Sequence, residues 1–199
     1  MSAILANTNI TLDNTSAITI PGTPSTGQTV IYPKADKLLY YKNDAGQELP
    51  PGKVVQVVNF QTGAVATGTT TIPTDDTIPQ ITEGNEYMTL AITPTNASNI
   101  LMIQVVGYVY STVNSEITHA LFVGNTANAL AAVSSYALAG ITRTLGLTHS
   151  VVAGTTSALT FRVRLGADAA GTTTFNGYNG TRRFGGVASS SITITEYTA

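Results

Sequence analysis

The sequence predicts an all-β fold built as an antiparallel β-sandwich, and three observations predict it. Apolar residues recur at every second position in one segment after another, the period of a strand with one buried face. Turns rich in Gly, Asn, Ser and Thr separate those segments at about the spacing of a sandwich. Helical patterns do not alternate with strands, which argues against Rossmann-like and barrel enzymes, and no fixed-period repeat points to a propeller or β-helix.

Residues 1–29 are polar and poor in packing material. Ile18 and Ile20 suit one short strand, which Pro21, Gly22 and Pro24 stop. Such a segment builds no core of its own. It reads either as an attachment arm docked on another copy or another protein, or as a terminal strand clipped onto its own domain. Residues 30–52 read as a short hairpin module, with Val30–Tyr32 and Leu38–Lys42 flanking a turn at Lys34–Asp36. Asn43-Asp44-Ala45-Gly46 closes a second turn, and Tyr32, Tyr40 and Tyr41 are its apolar matter. Pro50-Pro51-Gly52 is a stiff joint to residues 53–199, the sandwich body.

The body's expected strands are Val54–Phe60, Thr69–Ile72, Glu86–Thr93, Asn99–Tyr110, Ile117–Val123, Ile141–Val152, Ala158–Leu165, Thr172–Phe175, Arg183–Val187 and Ser191–Tyr197. Glu86–Thr93 alternates cleanly, with Met88, Leu90 and Ile92 on one face. Pro94 removes a ladder donor, and Thr95–Asn99 supplies turn chemistry. Asn99–Tyr110 has Leu101, Ile103, Val105 and Val109 on one face and Met102, Val106, Tyr108 and Tyr110 on the other. With both faces apolar it should be covered on both sides, in the sandwich core or at a subunit contact. Asn125–Leu138 has helical composition and reads as a loop or single helical turn leading into a strand.

Charged residues are 10% of the chain and hydrophobic ones 43%, against a usual charged share of about 25%. Solubility must then rest on uncharged polar residues and on apolar surface hidden between subunits. With a net charge of -2 and no basic block, nucleic acid is not an expected partner. The absence of cysteine removes disulfides, thiolate nucleophiles and cysteine metal clusters. The N-terminal residues lack a signal-peptide pattern and no apolar run is long enough for a membrane span, so synthesis in a cytoplasm and no membrane insertion are expected.

Four stretches carry a family resemblance: TIPQITEGNEYMTLAITPTNASNILMIQVVGYVY, HALFVGNTANALAA, LTFRVRLG and TFNGYNGTRRFGGVASSSITITEY. Together they resemble a C-terminal domain of tail-fibre and related virion surface proteins of tailed bacteriophages, over roughly residues 53–199. The closing FGGVASSSITITEY is the most specific part, and KADKLLYYKNDAGQE is similar to hairpin modules of fibre stalks. The resemblance implies a jelly-roll-like tip, a homotrimer and a non-enzymatic structural role on the virion surface, in tail or head fibre, after synthesis in the host cytoplasm. The arm would attach to other virion proteins of capsid or tail, and the tip would meet a host-surface glycan or protein. No coiled-coil or repetitive shaft is present, so the alternative is a capsid decoration protein whose arm clamps capsomers. A glycan-binding or glycan-degrading domain is a third reading.

No residue is assigned to catalysis, to a metal or to a cofactor. His119 and His149 lack a carboxylate at ligand spacing. Asp75, Asp76, Glu83 and Glu86 form one acidic cluster, from which a glycosidase pair or a calcium site would have to be drawn. Against both, the chain has no Trp for a sugar platform and no regular oxygen spacing. Asp75 and Asp76 are expected to cap a turn. Arg162 and Arg164 share one face of a strand, and two adjacent cations repel unless solvated or paired. They read as a solvated face or as intersubunit ion pairs, with Glu196 or Glu116 as partner. Asn176, Tyr178 and Asn179 lie in a Gly-Asn hairpin tip followed by Arg182 and Arg183, read as a plain turn or as a receptor-facing tip.

Overall fold

The structure, a computed structural model, describes residues 21–34, 39–49 and 54–198. Residues 1–20 of the expected arm, most of the Lys34–Asp36 turn and the Pro50-Pro51-Gly52 joint lie outside the described residues. The chain divides into two compact units, residues 1–53 and 54–199.

The first unit carries a three-stranded antiparallel sheet of β1 (Val30–Pro33), β2 (Leu39–Lys42) and β3 (Glu48–Leu49). Tyr32 is buried and lies beside Tyr40, and Gly46 adopts the positive φ expected of the second turn. Lys34 pairs with Glu48, and the Lys42 ammonium donates to the Pro21 carbonyl.

The second unit is a β-sandwich. Its large sheet is built on β7 (Ile100–Ser111), the longest strand. One edge of β7 pairs with β15 (Ser190–Tyr197) and then with β12 (Thr173–Phe175), and the other pairs with β10 (Thr142–Val152). β4 (Val54–Thr62) extends the sheet beyond β15, and β5 (Ala66–Gly68) extends it beyond β12. The smaller sheet has the order β6 (Asn85–Ile92), β11 (Leu159–Ala167), β8 (Ser115–Val123) and β9 (Ala131–Ala137). β13 (Gly177–Tyr178) and β14 (Thr181–Arg182) form a separate small hairpin.

Period-two alternation places the core. Leu101, Ile103, Val105, Ile192, Ile194, Leu145 and Leu147 of the large sheet meet Met88, Ile92, Ile117, Leu121, Phe161, Val163 and Leu165 of the smaller one. Each such side chain contributes about 1.5–3 kcal/mol on burial.

The outer faces differ. Residues 69–81 run as a strap over the smaller sheet, placing Ile72 on Ala120 and Phe122 in a second apolar cluster. Here the structure corrects the expected strand Thr69–Ile72: the Ile72 N–H reaches the Ala167 carbonyl and the strand lies earlier, at Ala66–Gly68. The outer face of the large sheet has no such cover. Val106 is 44% exposed and Gln104 is exposed, so within one chain β7 is covered on one side over much of its length. Only Tyr110, at its far end, is buried on that side, under Tyr178.

Two further expectations resolve. The helix-like stretch 125–138 is a loop followed by β9. Arg183–Val187 is not a strand: Phe184–Gly186 form a single 3-10 turn with positive φ at Phe184, Gly185 and Gly186.

Candidate functional site

The acidic cluster divides into separate structural duties. Asp75 Oδ1 accepts from the Thr77 hydroxyl at 2.5 Å and the Thr77 N–H at 2.8 Å, which is the expected turn cap. Those bonds, the hydroxyl first, hold its carboxyl below the usual range. Glu83 accepts from the Gln80 N–H at 2.9 Å, closing the next turn. Asp75 and Asp76 border a shallow groove between the strap and β9, with Ile78, Pro79 and Leu130 on its walls. Among the described residues no group of three or more His, Asp or Glu side chains is placed to hold a metal ion.

Glu86 belongs to the arginines. Arg162 Nη1 contacts both Glu86 oxygens, at 3.2 and 3.1 Å, and its Nε donates to the Gly124 carbonyl at 2.8 Å. Arg164 donates to the Glu83 and Gly84 carbonyls at 2.8 and 2.7 Å, and its Nη1 lies 3.8 Å from Glu86. The expected partners were Glu116 or Glu196 of another copy; the carboxylate found is Glu86, on the adjacent strand of the same chain. A bulge between Val163 and Arg164 brings Glu86 into register with Arg164.

Glu196 is fully buried at the end of the sandwich. Oε1 accepts from the Thr95 N–H and hydroxyl, both at 2.8 Å, and from Asn99 Nδ2 at 2.6 Å; Oε2 accepts from Gln56 at 2.5 Å. Burial pushes its carboxyl upward, but the donors, Asn99 first, outweigh this and leave it below the ordinary range. It ties the last strand to the polar corner after β6.

His119 is fully buried in the sandwich interior, in register with Leu165 and Val133. Neither ring nitrogen has a hydrogen-bond partner. The ring fills the space above Gly107, where an ideal Cβ would lie 2.2 Å from His119 Cε1. Burial lowers its pKa to about 3, so at neutral pH it packs as an uncharged ring.

The three expected tip residues separate. Asn176 is fully buried, not receptor-facing: Nδ2 donates to the Thr62 and Ala64 carbonyls at 2.7 and 3.2 Å, and Oδ1 accepts from Ser190 Oγ at 2.6 Å. It pins the corner where β7 passes from β15 to β12. Asn179 and Gly180 have φ of 47° and 76°, the Asn-Gly geometry of a tight hairpin turn. Tyr178 is half-buried, with Tyr110 at 4.4 Å on one side and the Arg183 guanidinium 4.1 Å from its ring centroid. Phe184, next in sequence after Arg183, is 69% exposed, and Val187 is 80% exposed. Sequence reasoning misses Phe184, since Arg183–Val187 reads equally well as a strand; the signal for it is the glycine pair that follows the ring.

No family model matches this chain, and no curated protein matches it. Among solved structures it is similar to one titled "CBM4 structure and function", at 14% identity, covering 64% of this chain and 76% of that one, with a TM-score of 0.35. A structure of infectious bursal disease virus, Gx strain, is 11% identical over 77% of this chain and 40% of its own, with a TM-score of 0.34. The enzymatically active domain of tailspike protein 4 of bacteriophage CBA120 is 15% identical over 61% of this chain and 19% of its own, with a TM-score of 0.27. The chain thus spans less than half the length of either viral protein.

Proposed function

We propose that the chain is a structural protein of a bacteriophage virion surface, a fibre or knob whose sandwich is the exposed tip and whose copies associate as a homotrimer. One observation carries this reading beyond the resemblance. Away from the Tyr178 hairpin, the outer face of the large sheet is broad, exposed and uncharged. Register places Val57 and Asn59 of β4, Thr193 of β15, Gln104 and Val106 of β7, and Thr144 and Thr148 of β10 on that one side. A face without charge has no electrostatic barrier to meeting its own copy, and closed homo-oligomers reuse such patches. Asp75, Glu83, Glu86 and Glu196 hold turns, arginines or the last strand, which supports a non-enzymatic role. Residues 1–29 would anchor the chain to another virion protein.

The test is location on intact particles by antibody-gold labelling, with sedimentation of the purified chain. Labelling at fibre positions on tail or head and a trimer in solution are expected. Labelling spread across the capsid shell would move the assignment to a decoration protein. Absence from particles would overturn the virion reading.

A further inference from the structure

We propose that the 178–187 hairpin and its 3-10 turn form a binding site for an acidic polysaccharide, with a uronate-type carboxylate on Arg183 and Arg182 and a pyranose C–H face on Phe184. The proposal deepens the virion-surface reading and rests on it for its biological setting, while the site stands on the hairpin's own residues.

Backbone strain is the first observation. Phe184 sits at φ 50°, a region bulky residues avoid at a cost that surrounding structure must sustain. The strain does not bury the ring, which stays 69% exposed. An aromatic held out in solvent at an unfavourable φ is not serving the core.

The second is a platform built in layers. Tyr110, buried on β7, supports Tyr178, and Tyr178 carries the Arg183 guanidinium on its ring. Stacking fixes the plane of the guanidinium while leaving its edge N–H groups free to grip a carboxylate by two parallel bonds. Arg182 lies along the same turn, with its Cδ 3.0 Å from where a Cβ on Gly186 would be.

The third is charge. Among the described residues the ion pairs of the sandwich unit use Arg162 and Arg164, and neither Arg182 nor Arg183 has a carboxylate partner. The turn that borders Tyr178, where a Cβ on Gly140 would lie 3.8 Å from its hydroxyl, brings no acid, Ala139-Gly140-Ile141 being uncharged. The hairpin and its turn therefore carry two arginines and no acid, residues 177–187 holding no Asp or Glu, in a chain with a net charge of -2. Two arginines and an exposed ring within three consecutive residues suit a single charged sugar unit. They are too few to track a phosphate backbone, which takes a longer basic stripe.

The test is isothermal titration of the full chain with hexagalacturonate, with maltohexaose, sodium sulfate, polyglutamate and a single-stranded oligonucleotide as comparisons. Saturable binding of hexagalacturonate alone is expected, weakened at least about tenfold in Arg183→Ala, Arg183→Lys and Phe184→Ala. No binding of hexagalacturonate, equal binding of maltohexaose, or binding matched by sulfate, polyglutamate or the oligonucleotide would each overturn the proposal. So would unchanged binding in the variants. Phe184→Gly separates presentation from packing: it should raise the thermal midpoint by relieving the positive φ while binding is lost. A lowered midpoint would show the ring holding the fold and would also overturn the proposal. Antibody-gold location and this titration can fail independently.

Discussion

At the residue scale, the buried imidazole makes the fold acid-sensitive in a defined window. His119 has a pKa of about 3 in the folded chain against an ordinary value of 6.5, so the unfolded chain takes up the proton first. Stability is therefore undiminished above pH 6.5 and falls by about 1.4 kcal/mol per pH unit until the folded pKa is reached. Between pH 6.5 and 4.5 this ring by itself accounts for a loss of about 2–3 kcal/mol. Urea unfolding across the interval checks it, and His119→Leu should flatten the dependence. Gly107 belongs to the same contact: with His119 Cε1 at 2.2 Å from an ideal Cβ, Gly107→Ala should destabilise by about 1–3 kcal/mol through overpacking. Glu196 adds to the acid sensitivity in the same direction. Its lowered pKa contributes stability above the ordinary carboxylate range that is lost as pH falls through the folded value. Glu196→Ala should cost about 2–4 kcal/mol, because the Thr95, Asn99 and Gln56 donors lose their acceptor.

At the element scale, Arg164 is a clasp between β11 and the turn before β6. Arg164→Ala removes bonds to the Glu83 and Gly84 carbonyls and should lower the unfolding free energy by about 1–3 kcal/mol without altering the sedimentation coefficient. A change of oligomeric state in that variant would return the residue to a subunit contact. Most strands are legible in the sequence, because period two survives wherever one face is buried: Met88, Leu90 and Ile92 show it, as do Phe161, Val163 and Leu165. The strap is not legible, since Ile72 is apolar for a reason that lies across the fold, on Ala120 and Phe122. Asn176 and Asn179 each precede a glycine, yet one is a buried corner pin and the other a turn residue. Identical local chemistry leaves tertiary position to decide. Glu196 is opaque for the same reason, its partners Asn99 and Thr95 lying 97 and 101 residues earlier.

At the scale of the whole molecule, an alternating strand shows that a face is apolar but not what covers it. Asn99–Tyr110 predicts cover on both sides, and one chain provides it fully on one. The charge-poor composition has the same source: the smaller sheet hides its outer face under the strap, while the large sheet leaves Val57 56% and Val106 44% exposed among uncharged neighbours. If copies meet on this face, a single ammonium near its centre is stranded on assembly, and leaving a charge unpaired in an interface costs about 3–5 kcal/mol. A threefold assembly repeats that cost in every copy. In the separated chain the same ammonium stands in water and costs little, since exposed substitutions stay within about 0.5 kcal/mol. Val106→Lys should therefore unfold at nearly the wild-type urea midpoint under dissociating dilution, yet sediment as a monomer at micromolar concentrations at which the proposed wild-type trimer is expected. Ile78→Lys, on the strap at 53% exposure, adds the same charge away from that face and should leave the trimer intact. A Val106→Lys protein that sediments with wild type would place the contact between copies elsewhere on the sandwich.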